Sequence, residues 1–196
     1  MPERMTLGEV NWLGRDEFVS RLGSVFESSP WVAERAWGSR PFGSFSELYG
    51  AMVRAVDEAS REQRIALIRA HPDLAGKAAV AGELTRESTR EQASAGLDRL
   101  TPKEYEGFTE MNRAYRERFG FPMIVCVREH TKMPSTADEI PTLTKEHILR
   151  NARDRLKNSR EEEIEVALGE IAKIARFRLE DLVETDEAPP ENRARK

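Results

Sequence analysis

The sequence predicts an all-α protein, a single-domain multi-helix bundle with one short extended buried segment. Three observations carry that prediction. Apolar residues recur at spacings of three and four along most of the chain, the period of an amphipathic helix. Helix starts and stops carry capping residues, prolines and glycines where each of these acts. A single run, Phe121-Pro122-Met123-Ile124-Val125-Cys126-Val127, reads as strand, and a strand with no partner is expected as a buried extended stretch and not as a sheet.

The elements follow in order. Asp16 to Glu27 places Phe18, Val19, Leu22 and Val25-Phe26 on one face. Pro30 opens a short helix over Trp31, Val32 and Ala33, which ends before the loop Gly38–Gly43. Ser44 or Ser46 caps a third helix with a Leu48, Met52, Val56 stripe. A fourth, through Gln63, Ile65, Leu67 and Ile68, stops at His71 because Pro72 disfavours helix in the residue before it. Capping boxes, in which a Ser or Thr and a Glu three residues on satisfy each other's backbone N–H groups, are expected at Ser88/Glu91, Thr101/Glu104 with Pro102 behind the cap, and Ser159/Glu162. The Thr101 helix lines up Tyr105, Phe108, Asn112, Tyr115 and Phe119 and ends at Gly120, a natural left-handed cap. A polar surface loop is expected over 133–144, then helices at about 145–157 and 160–184. The domain is thus expected over 1–184, with a disordered tail over 185–196.

Composition narrows the function classes. The 196 residues are 39% hydrophobic and 34% charged, with a mean hydropathy of −0.63 and 31 Lys+Arg against 35 Asp+Glu. A core is affordable, and the acidic balance argues against a general nucleic-acid binder, whose affinity comes from neutralising phosphates. No apolar run approaches the roughly 20 residues of a membrane span. A lone cysteine, Cys126, excludes an internal disulfide framework and a zinc site built on Cys pairs, and is most simply a small buried apolar residue. With no apolar leader at the N-terminus, the expectation is a soluble cytoplasmic protein.

Most chemical motifs fail. His71, His130 and His147 have no second His at helical spacing, so no metal site is expected. Ala75-Gly76-Lys77-Ala78 resembles the end of a phosphate loop, but His71 stands where its first Gly belongs and Ala78 replaces the Mg-binding hydroxyl. What remains is a set of polar groups at helix ends, His71-Pro72-Asp73 and Ser88 to Gln92, together with Arg178. Arg178 falls on the apolar face formed by Ile164, Ala167, Leu168, Ile171, Ile174, Ala175 and Leu182 and must find a carboxylate, a ligand oxygen or a partner chain. The plain alternatives are an internal salt bridge or a snorkelling guanidinium near the helix end for Arg178, a capping role for Glu91 and for Asp73, and a hydrogen-bonded structural role for His71. A His beside a Glu and an Arg otherwise suits acid/base work on a small heteroatom-rich molecule.

Three ordered blocks then carry a resemblance: Arg69-Ala70-His71-Pro72-Asp73-Leu74-Ala75-Gly76-Lys77, Ser88-Thr89-Arg90-Glu91-Gln92-Ala93-Ser94-Ala95-Gly96-Leu97, and Asn112-x-x-Tyr115-x-x-x-Phe119-Gly120-Phe121-Pro122. They resemble the 2-oxo-4-hydroxy-4-carboxy-5-ureidoimidazoline (OHCU) decarboxylases, and the likeness runs from Phe26 to Leu179. The resemblance implies an all-α, generally homodimeric enzyme without metal or organic cofactor, with no nucleic-acid or membrane partner, that converts OHCU to (S)-allantoin and carbon dioxide. By position it implies His71, Glu91 and Arg178 as catalytic residues. Substrate binding falls to Pro72, Ser88, Thr89, Arg90, Glu91 and Gln92, and to the Met123, Ile124, Val125, Cys126 and Val127 stretch. Met123 stands where the family often has Phe, and 133–144 looks like an insertion. Two competitors are a helical interaction module without turnover and a ring-opening amidohydrolase, which would need a metal-held water that the sequence has no His cluster to bind.

Overall fold

The computed structural model describes residues 4–76, 85–94, 96–130 and 145–185, and these are helical as expected, with no sheet among them. The chain divides into two compact units, residues 1–58 with 176–196, and residues 59–175. The surface loop expected over 133–144 and the tail beyond Thr185 lie outside the described residues. No helix among the described residues is long and apolar enough to cross a membrane.

The first unit holds α1 (Leu7–Trp12), α2 (Arg15–Leu22), α3 (Trp31–Trp37) and α4 (Phe45–Asp57), with α2 against α3 and α3 against α4. Sequence reading missed α1, which a Thr6/Glu9 capping box starts. It also ran α2 on to Glu27, whereas the helix ends at Leu22. Gly23 donates to the Val19 carbonyl at 2.8 Å, and tight turns follow at Val25 to Leu22 and Ser29 to Phe26. A β-carbon on Gly23 would sit 2.5 Å from the Val19 oxygen, so the bend needs glycine. Val25 and Phe26 are buried as the periodicity requires, but turns and not helix put them there. Ser44 is the α4 cap, accepting from the Glu47 N–H.

The second unit begins with α5 (Arg61–Ala70), started by a Ser60/Gln63 capping box and ended by His71. It continues with α6 (Arg86–Ser94), α7 (Pro102–Phe119), a short 3-10 helix over Val127–His130 and α8 (Lys145–Arg155). The last helix, α9 (Arg160–Leu182), has residues 160–175 in this unit and the remainder in the first. The expected boxes at Thr101/Glu104 and Ser159/Glu162 are present. Gly120 has φ +78, the left-handed cap anticipated for α7. The Ser88/Glu91 box is a correction: α6 starts at Arg86, three residues earlier than a Ser88 cap would set it, and the Ser88 N–H donates to Thr85 Oγ1 at 3.2 Å. Thr85, three residues ahead of Ser88, takes the capping position, which leaves Ser88 and Glu91 inside the helix. Tyr115 packs tilted against Phe119 at 5.2 Å between ring centres and Phe119 stacks on Phe121 at 5.8 Å, which carries the core from α7 into the 121–127 run.

Candidate active site

His71 is placed by the end of α5. Its own N–H reaches back to Ile68, its backbone turns extended before Pro72, and its side chain is 6% exposed. The ring Nδ1 lies 3.0 Å from the Leu67 carbonyl oxygen. A carbonyl only accepts, so Nδ1 carries a proton and donates to it, and Nε2 is the nitrogen on the other side of the ring.

The loop after His71 is braced by side chains from two helices. Gln92 of α6 accepts from the Ala75 N–H at 2.8 Å and donates to the Asp73 carbonyl at 3.2 Å. Asn112 of α7 donates to the Leu74 carbonyl at 2.9 Å, and Arg116 of α7 grips the Asp73 carboxylate at 3.0 and 3.2 Å. Asp73 therefore ties the loop to α7. Ala75 has φ +49, a left-handed conformation that disfavours a residue with a β-carbon, and these hydrogen bonds, each worth about 1 kcal/mol net, hold it there.

On α6, Ser88 and Gln92 are buried and Glu91 is half-buried beside them, while Thr89 and Arg90 are exposed, with the Thr89 hydroxyl donating to the Thr85 carbonyl. The structure thus brings Gln92 to the His71 loop and does not bring Thr89 and Arg90 to the buried face. Helix α6 also lies against the 3-10 helix that begins at Val127, which sets it beside the end of the extended run.

That run is buried at Met123, Ile124, Cys126 and Val127 and half-buried at Val125. No strand flanks it among the described residues, and charged side chains meet its backbone. Arg155 Nη1 donates to the Ile124 carbonyl at 2.7 Å, and the Cys126 N–H donates to Glu170 Oε2 at 2.7 Å. Arg155 is itself paired with the fully buried Glu163 at 2.6 and 3.0 Å, and Glu163 also accepts from Asn158 at 2.9 Å and Tyr115 at 3.3 Å. Burial pushes the Tyr115 hydroxyl well above its ordinary pKa, so it stays protonated and donates. Sequence reading missed Arg155, Glu163, Glu170 and Arg116. The signal that singled out Arg178, a charge on an apolar helical face, exists for Arg155, which shares the buried face of α8 with Ile148 and Ala152. Glu163 is hidden in the run Glu161-Glu162-Glu163.

Arg178 belongs to the first unit, where its Nη1 meets Glu27 Oε2 at 2.9 Å, with side chains 4% and 3% exposed. The buried charge has the carboxylate it required, the internal salt bridge named among the plain alternatives.

The sequence matches the OHCU decarboxylase family over residues 11–180. It is 45% identical over 175 residues to the 2-oxo-4-hydroxy-4-carboxy-5-ureidoimidazoline decarboxylase of Haloferax volcanii, covering 89% of this chain and 94% of that one. The protein of the same description from Halalkalicoccus jeotgali is 41% identical over 179 residues, covering 91% and 92%. Among solved structures, an (S)-allantoin synthase superposes with a TM-score of 0.65 at 29% identity, covering 94% of this chain, which spans 56% of that longer one. A family match across most of the chain, and relatives of that identity over nearly their whole length, establish that this protein belongs to the OHCU decarboxylase family of carboxy-lyases.

Proposed function

We propose that this chain decarboxylates OHCU to (S)-allantoin and carbon dioxide in uric acid degradation, with His71 as general acid and base. The observation that carries the reading is the Nδ1 contact with the Leu67 carbonyl. With Nδ1 turned to that carbonyl, the proposal uses Nε2 as the atom that takes and returns a proton, next to the braced 72–76 loop.

The chemistry needs little else. OHCU has an imine next to the carbon that bears both carboxylate and hydroxyl. When that carbon–carboxylate bond breaks, its electron pair forms a carbon–carbon double bond and the imine pair moves onto nitrogen, which gains a proton. His71 takes the hydroxyl proton and returns it to one face of the neighbouring carbon to give the (S) product, and water supplies the one net proton that the nitrogen keeps. The substrate contains its own electron sink, which is the work pyridoxal or thiamine does elsewhere. Glu91 accepts hydrogen bonds from ring or ureido N–H groups, and Ser88 positions the ureido arm. Gln92, committed to Ala75 and Asp73, shapes the loop beside them. The resemblance gives Arg178 a catalytic part and its pair with Glu27 gives it a structural one, which paired variants separate. The same resemblance implies a homodimer, which light scattering in solution tests.

The test is a coupled assay from urate with urate oxidase and hydroxyisourate hydrolase, following (S)-allantoin by circular dichroism with and without this chain. Formation above the spontaneous background is expected. An unchanged rate refutes the proposal.

A further inference from the structure

An extended segment has two edges of N–H and C=O groups to satisfy. Along the 123–127 run, side chains replace the missing strand on one edge: Arg155 at the Ile124 carbonyl and Glu170 at the Cys126 N–H. Across a trans peptide the C=O of one residue and the N–H of the next point in opposite directions. Holding the Ile124 C=O and the Cys126 N–H from α8 and α9 therefore turns the Val125 N–H and C=O away from those two side chains. Val125 is also half-buried where its neighbours on both sides are buried.

The resemblance implies that the backbone of this run touches the substrate; we propose that Arg155 and Glu170 are positioning residues for it, which hold the peptide groups on either side of Val125 and so fix the direction of the Val125 N–H and C=O. A urea or ring amide, with an N–H beside a C=O, is the complement of that pair. The inference rests on the OHCU reading above. A buried ion pair such as Arg155–Glu163 adds little stability over apolar residues of the same volume, so its return is the fixed geometry of the group it holds. Glu170 is steadied in turn by Lys173, whose Nζ lies 2.9 Å from its second oxygen.

Glu170 is the residue to change, because replacing Arg155 or Glu163 also strands a buried charge. Steady-state decarboxylation and thermal melting are measured for wild type, Glu170→Ala and Glu170→Gln. Glu170→Ala is expected to lower kcat/KM by about tenfold to a hundredfold, the scale of a displacement near 1 Å in a binding element, with little change in melting temperature. Glu170→Gln, whose amide oxygen still accepts from the Cys126 N–H, restores most of the loss. Should the Ala variant fail to fold, Glu170→Asp, with the charge kept and the oxygen withdrawn, takes its place against Gln. A Glu170→Ala or Glu170→Asp enzyme with wild-type kcat/KM per folded molecule overturns the clamp alone. Wild type with no rate above the spontaneous reaction overturns the functional reading and the clamp with it.

Discussion

Arg178 and Glu27 form a buried ion pair whose removal has a calculable sign and size. Their oxygen and nitrogen are 2.9 Å apart and neither side chain is more than 4% exposed. Replacing Arg178 by Met leaves the Glu27 carboxylate buried without its cation, which costs about 3–5 kcal/mol, and Glu27→Gln strands the guanidinium at a similar cost. For a chain of this length each kcal/mol moves the melting temperature by roughly 2–4 °C, so either single variant should melt roughly 6–20 °C below wild type. Replacing both, as Glu27→Leu with Arg178→Met, removes two desolvated charges together and should recover most of the loss. Thermal unfolding followed by far-ultraviolet circular dichroism reads all four proteins. Singles that melt with wild type, or a double that falls by the sum of the singles, refute the reasoning. The double variant also separates the two roles of Arg178: if it is restored in stability yet inactive, the arginine takes part in the chemistry, and if it is restored in both, the pair is structural.

Three further outcomes are expected. Asn112→Leu leaves the Leu74 carbonyl without its donor and should cost about 1–3 kcal/mol in denaturant unfolding, with a fall in kcat/KM as the His71 loop loosens. Gly120→Ala forces a β-carbon into φ +78 and brings it 3.3 Å from Arg69 Nη2, so a loss of about 1–2 kcal/mol is expected in the same measurement. Backbone and hydroxyl hydrogen bonds in the boxes at Thr6, Thr101 and Ser159 hold the Glu9, Glu104 and Glu162 carboxyls below their ordinary value of 4.5. A lowered folded value means stability that is fully present above 4.5 and is lost as pH falls through the lowered values. The melting temperature of wild type should therefore drop on acidification below that point, and a triple Glu→Gln variant should show a shallower drop.

Local chemistry explains what was legible in the sequence. The boxes at Thr101 and Ser159, the Gly120 stop and the end of α5 before Pro72 each depend on residues within four positions of one another, and all are present. The box at Ser88 failed for an equally local reason, since Thr85 stands three residues earlier and competes for the same helix start. Helix α2 was overextended because Val25 and Phe26 stay in phase with its apolar face while Gly23 ends the helix. Periodicity reports which residues are buried, not which backbone path buries them. Of the candidate site, His71, Ser88 and Gln92 were legible and are buried, whereas Thr89 and Arg90 are exposed. The supports of the extended run, Arg155, Glu163 and Glu170, were not, because charged residues on helices read as surface until the fold turns them inward.

The central claim is that His71 moves the proton in OHCU decarboxylation. The direct measurement is the initial rate of (S)-allantoin formation from freshly generated OHCU, by circular dichroism, for wild type and a folded His71→Asn variant. Asparagine is about the right size to fill the site but has no titratable nitrogen, so the rate should fall by about 10²–10⁴-fold, toward the spontaneous background. A His71→Asn enzyme that matches wild type would contradict the account.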